Sequence, residues 1–143
     1  MTVPLQSVAE MLAELGLETR VASDGLWVVV PCERRGSVPV QLVEGERSVV
    51  FRAFIMRAPD TGHRDVYQRL LRKNDVAGLW VFSLDALGDV FLVATRPASN
   101  LTAGVLDGIL GSLSALVDET FEGIVRTGFA IPPEVPIGPP PAV

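Results

Sequence analysis

The segment TRVASDGLWVVVP, residues 19–31, reads as two short β-strands, 19–22 and 26–31, joined at Ser23-Asp24-Gly25, where Asp-Gly is a strong hairpin signal. The second strand is apolar at five successive positions, Leu26, Trp27, Val28, Val29 and Val30. An antiparallel sheet with one wet face alternates apolar and polar side chains, so this run asks for cover on both faces. Leu79 to Phe82 and Val90 to Val93 repeat the pattern. Either the helices of one chain cover both sides, or a second subunit covers part of one; we favour the second subunit, because two-fold homodimers are the commonest assemblies.

Outward from this hairpin, strands are expected at 38–43, ending on Glu44-Gly45-Glu46, and at 48–56, which completes an antiparallel meander. A second hairpin, 79–84 and 90–95, turns around Asp85-Ala86-Leu87-Gly88-Asp89. A first helix is expected over residues 4–17, from the stripe Leu5, Val8, Leu12, Leu15, with Gly16 as its C-cap. A second follows Pro59-Asp60-Thr61-Gly62 and covers 63–73, which places Arg69, Arg72 and Lys73 in its last turns, where the helix dipole favours them. Thr102 caps a third helix running to about residue 125, with an apolar face from Leu106 to Ile124. The fold class is therefore α+β, in the order helix, four strands, helix, two strands, helix. One domain is expected over residues 1–130, followed at 131–143 by a tail holding six of the eleven prolines. In that tail Ile131, Val135 and Ile137 are candidates to tether it, and Pro133-x-x-Pro136 and Pro136-x-x-Pro139 match the polyproline pattern that aromatic grooves take.

The chain has 143 residues, 48% of them apolar, and a net charge of −5. A negative balance of this kind disfavours general nucleic-acid binding, which needs a basic footprint. No apolar run nears the roughly 20 residues that cross a bilayer, and residues 1–17 do not read as a signal peptide, so no membrane is expected and the cytoplasm is the expected location. A single cysteine fits a reducing compartment.

Catalytic chemistry is sparse. His63 is the only histidine, at a helix start facing solvent. Cys32 lies beside Arg34 and Arg35, which can lower a thiol pKa, but a buried free cysteine is the plainer reading. One His and one Cys do not close a zinc site, and no calcium loop is spelled out; neither a metal nor a cofactor is expected. Gly104, Gly108 and Gly111 fall inside a helix, where they suit close helix packing rather than phosphate binding. Asp85 and Asp89 suit turn chemistry rather than a catalytic pair.

What remains is binding. Arg52, Arg57, Arg64, Arg69, Arg72 and Lys73 are the one dense basic stretch, and if the fourth strand and second helix lie side by side they form a small-anion or acidic-peptide site. Trp27, Val29, Trp80, Phe82 and Phe91 are the candidate interface residues on two-faced strands. The residues thus predict a non-enzymatic protein-binding module, homodimeric, with a protein partner; a small anionic-ligand sensor is the alternative.

Several stretches resemble a known family: Arg57-Ala58-Pro59-Asp60, then Val66-Tyr67-Gln68-Arg69-Leu70-Leu71-Arg72-Lys73-Asn74, then Leu84-Asp85-Ala86-Leu87-Gly88-Asp89-Val90-Phe91-Leu92-Val93, and Val117-Asp118-Glu119-Thr120-Phe121. Together they resemble the YbjN family of bacterial sensory-transduction regulators, its actinobacterial branch above all, over about residues 12–129. The resemblance implies a type III secretion chaperone-like fold: a twisted antiparallel sheet with helices packed on it, frequent homodimers, binding of extended partner segments and no catalytic residues. Glu122 and Ala94 depart from the family pattern, where Asn and Gly are expected.

Overall fold

In the computed structural model residues 5–136 are described, and the expected element order is found: α1 (Leu5–Glu14), β1 (Thr19–Ala22), β2 (Gly25–Cys32), β3 (Gly36–Glu44), β4 (Ser48–Met56), α2 (His63–Ala77), β5 (Val81–Leu84), β6 (Val90–Pro97) and α3 (Ala103–Gly128), the last preceded by a 3-10 turn at Ala98–Asn100. Residues 1–4 and 137–143 lie outside the described residues, and with them Ile137 and the end of the second polyproline pattern. Of the other two tail candidates, Val135 packs on the core, whereas Ile131 is exposed.

Helix α1 stops where its cap sits. Gly16, at φ 78°, lets its N–H reach Ala13 O (2.9 Å) and that of Leu17 reach Leu12 O (3.2 Å), the paired bonds of a Schellman ending. Helix α2 outlasts its apolar stripe by a full turn and ends at Gly78, φ 82°. That length corrects the dipole expectation, because the last turn of α2 holds no basic residue. Asn74, in the added turn, donates from Nδ2 to Phe82 O (3.1 Å) and accepts at Oδ1 from Phe82 N–H (2.7 Å), occupying the free side of β5. Thr102 caps α3 as expected, its hydroxyl accepting from Val105 N–H at 3.1 Å.

All six strands pair antiparallel in one sheet, in the order β1-β2-β3-β4-β6-β5, so the two border strands have four residues each and the inner ones eight or nine. The register fixes the faces. Leu26 pairs with Leu42, Val28 with Val40, Val30 with Val38, Leu42 with Phe51 and Ala53 with Leu92, and these side chains join Val8, Leu12, Leu70, Leu113, Val117 and Phe121 of the three helices in one buried cluster. The opposite side of the same strands contributes nothing to that cluster. Cover is thus one-sided. The three helices do not sandwich the sheet; they lie together on one face, and α3, 26 residues and roughly 39 Å long, runs across it.

Two glycine readings are corrected. The first hairpin centres on Ser23-Asp24, since Ala22 pairs with Gly25 and Gly25 is already in β2. Gly108 and Gly111 of α3 are exposed with no neighbour within 4 Å of an added Cβ, and Gly104 meets only Thr102 at 4.0 Å. Close packing on α3 is made instead by Gly128, whose added Cβ would stand 2.9 Å from the Pro59 Cβ, and by Gly123, 3.0 Å from the Arg69 guanidinium. A methyl at Gly108 therefore meets no obstacle and restricts only the unfolded chain, so Gly108→Ala is expected to raise the unfolding free energy by about 0.5–1 kcal/mol, read from the urea midpoint.

Candidate functional site

The face turned away from the helices is the largest feature that the fold leaves unused. Period-two alternation from the buried positions places on it Arg20, Trp27, Val29, Pro39, Gln41, Val50, Arg52, Phe54, Phe91 and Val93, and the register aligns Arg20 with Trp27, Trp27 with Gln41, Gln41 with Arg52 and Arg52 with Val93 in one row across five strands. Most of these side chains are half-buried by their neighbours within the sheet rather than by a layer above. Its aromatic centre is ordered: Phe54 and Phe91 meet edge to face at 5.4 Å, and the Arg52 guanidinium lies 4.5 Å from the centroid of Phe91. At the β1–β2 end, Trp27 Nε1 donates to Asp24 Oδ1 (3.0 Å) and Gln41 Nε2 to the Asp24 carbonyl (2.8 Å). The Nε atoms of Arg20 and Arg52 are buried without a partner.

Of the expected interface residues, Trp27, Val29 and Phe91 lie on this face. Trp80 and Phe82 do not, which is a correction: both are core, Trp80 1% exposed with its Nε1 donating to Ile109 O (3.0 Å) and Phe82 8% exposed against α2. Residues 79–82 have no polar position to mark which side faces in, so their phase came only from pairing with β6.

The basic stretch does not form one site, because Arg52 is on the open face while α2 packs on the other side beside β5. Arg57 grips Asp60 with two bonds (2.7 and 3.1 Å) and lies 4.6 Å from the Phe129 ring centroid; Arg64 is exposed on the first turn of α2. Arg69, Arg72 and Lys73 do converge, around a groove of about 340 Å³ between α2 and α3, where Lys73 is paired with Glu119.

The remaining candidates take structural positions. Asp85 Oδ1 accepts from the N–H groups of Leu87 and Asp89 (both 2.9 Å), the local turn bonds expected of it, whereas Asp89 Oδ1 accepts from Ala58 N–H (2.9 Å) and ties the hairpin to the segment after β4. His63 is exposed, its ring against Tyr67. Cys32 takes the plainer reading: burial, helped by the Asp118 carboxylate, pushes its pKa up against the pull of the Ser114 hydrogen bond and Arg35. Its alkylation at pH 8 is therefore expected to be slower than that of glutathione, as followed by thiol titration with time; a faster reaction would identify an activated nucleophile.

Arg35 was not singled out by the sequence. It is 5% exposed, donates from Nε to Ile55 O (2.9 Å) and from Nη1 to Ser37 O, and burial lowers its pKa to about 10. Its neighbour Arg34 reaches the other way, to Glu122 (3.4 Å), while the Arg34 N–H donates to Asp118 (3.0 Å), so the β2–β3 turn is tied to α3. Among the described residues no three His, Cys, Asp or Glu side chains gather as a metal site, and no helix is long and apolar enough to cross a membrane.

Comparison with known proteins bears on this geometry. The profile of the YbjN family, described as "Putative bacterial sensory transduction regulator", matches residues 4–126. An uncharacterized protein of Mycobacterium tuberculosis is 36% identical over 108 residues, 76% of this chain and 59% of that protein, and one of Mycobacterium leprae is 34% identical over 104 residues, 73% and 56%. The chain thus spans under two thirds of the length of these relatives. Among solved structures, YbjN of E. coli superposes with a TM-score of 0.67 at 13% identity (86% of this chain, 95% of that one). The Yersinia pestis type III secretion chaperone SycH, solved with a fragment of YscM2, gives 0.55 at 23% (80% and 97%). The chaperone–effector complex HopA1–SchA gives 0.56 at 12% (79% and 88%). These likenesses show the α+β, type III secretion chaperone-like fold.

Proposed function

This chain belongs to the YbjN family, and from that premise we propose that it is a protein-binding module, chaperone-like or regulatory, that acts in the cytoplasm by holding a partner rather than by turnover. The observation that supports this reading is the open sheet face. Trp27, Val29, Phe54, Phe91 and Val93 form an apolar surface with no helix over it among the described residues, and a contiguous surface of that kind marks interaction sites. The proteins that share the fold include a chaperone solved with a fragment of another protein and one solved with its effector. For self-association the chain offers a separate surface, with Leu71 and Val76 of α2 exposed by 69% and 73% and Leu84 of β5 by 42%. We read this as the seat of a second copy.

Two measurements test the reading. A photo-crosslinking side chain at Val93 is expected to yield protein adducts in cells, and one at Asp107, exposed on α3, is not. Equal labelling at both positions, or none at Val93, would overturn partner binding at this face. Light scattering at micromolar protein is expected to report a dimer that Leu71→Glu dissociates; a monomer would remove the self-association half of the proposal.

A further inference from the structure

We propose that the open face takes an acidic amphipathic segment of a partner protein, with Arg20 and Arg52 holding its carboxylates; this rests on the protein-binding reading above and names the chemistry of the partner. The strand positions on this face, from β1 to β5, carry two arginines and no carboxylate. Neither arginine makes an ion pair among the described residues, and the Nε donor of each is buried with no acceptor. Those Nε atoms are closed to solvent, but the terminal Nη groups are not among the buried unpaired atoms and make no hydrogen bond among the described residues, so a carboxylate delivered from outside pairs with them through charge-assisted bonds. Of the acids that flank β1, Asp24 accepts from the indole of Trp27, and Glu18 stands one residue before β1 at the rim.

The two cations are placed for a single ligand. They stand in one row, three strand spacings or roughly 14 Å apart, with Trp27 and Gln41 between them. Arg52 lies over Phe91, which holds its planar fork in place, and its terminal Nη groups make no bond among the described residues. Apolar side chains of the segment would fill the space over Val29, Phe54 and Val93. A second copy docked face to face brings arginine and no carboxylate, so it does not complement this surface. A nucleic acid would supply anions but not the apolar side chains that the surface over Val29, Phe54 and Val93 takes, and two arginines are a small footprint for a phosphate backbone.

That net charge makes the test discriminating, since bulk electrostatics would draw a cationic peptide, not an anionic one. Three synthetic amphipathic peptides with the same leucine positions and with Glu, Gln or Lys at the polar ones are titrated against the full chain, by anisotropy and by amide chemical-shift mapping. The Leu/Glu peptide is expected to bind at the open face about tenfold or more tighter than the Leu/Lys peptide, to weaken with salt, and to lose about tenfold in R20Q/R52Q but less in R20K/R52K. Should the Gln or Lys peptide bind the same face equally well, the acidic preference is refuted while the protein-binding reading stands. If none of the three shifts residues of this face, both fall. If R20Q/R52Q does not fold, the peptide series on the unaltered chain decides.

Discussion

Trp80→Ala is expected to lower the unfolding free energy by about 3–5 kcal/mol, whereas the same truncation at Trp27 changes it by about 1 kcal/mol or less. The two indoles have equal volume and sit in similar apolar runs. Trp80 is 1% exposed, packs edge to face on Phe51 at 6.2 Å and donates to the carbonyl of Ile109, so its loss opens a cavity and removes a bond that ties the chain just before β5 to α3. Trp27 rests on the open face, where water fills the space that a shorter side chain leaves. Urea denaturation of both variants gives the comparison. Equal losses would mean that the open face is covered in solution, and a concentration-dependent Trp27→Ala midpoint would identify the cover as a second copy.

Gly25→Ala should cost roughly 3 kcal/mol. Its φ of 131° lies in a region that only glycine occupies without strain, and an added Cβ would stand 2.4 Å from the carbonyl oxygen of Leu42 in the neighbouring strand. Backbone cannot yield as a flexible side chain can, so the β2–β3 ladder must shift. Gly16→Ala separates the two causes. Gly16 also has positive φ, 78°, but nothing lies within 4 Å of its added Cβ, so about 1 kcal/mol is expected there. If the two variants unfold at the same midpoint, the close approach of Leu42 contributes nothing.

The element order could be read from the chain because each signal is local. Gly16, Thr102 and the Asp85 turn act through bonds to backbone a few residues away, and the structure has all three. The side on which an apolar strand faces the helices is not local. Leu26 to Val30 and Leu79 to Phe82 have no polar phase marker, so Trp27 and Trp80 read alike until pairing with β3 and β6 put one outside and the other inside. The rest of the candidate face was within reach by period two: if Arg52 points outward, Val50 and Phe54 do as well. The behaviour of Cys32 and of Arg35 depends on how deeply α3 buries them, and residue spacing has no access to that depth.

The proportions of the sheet bear on its solubility. A chain 48% apolar with an uncovered sheet is at risk of stacking strand upon strand into fibrils, and such growth starts at unpaired margins. Here both margins are poor templates: β1 and β5 are four residues long, and the amide of Asn74 already holds the one N–H and the one C=O that Phe82 would offer a newcomer. If the chain holds a partner as proposed, that partner would be steered to the broad surface, where side chains can discriminate among polypeptides, and away from the indiscriminate backbone rim.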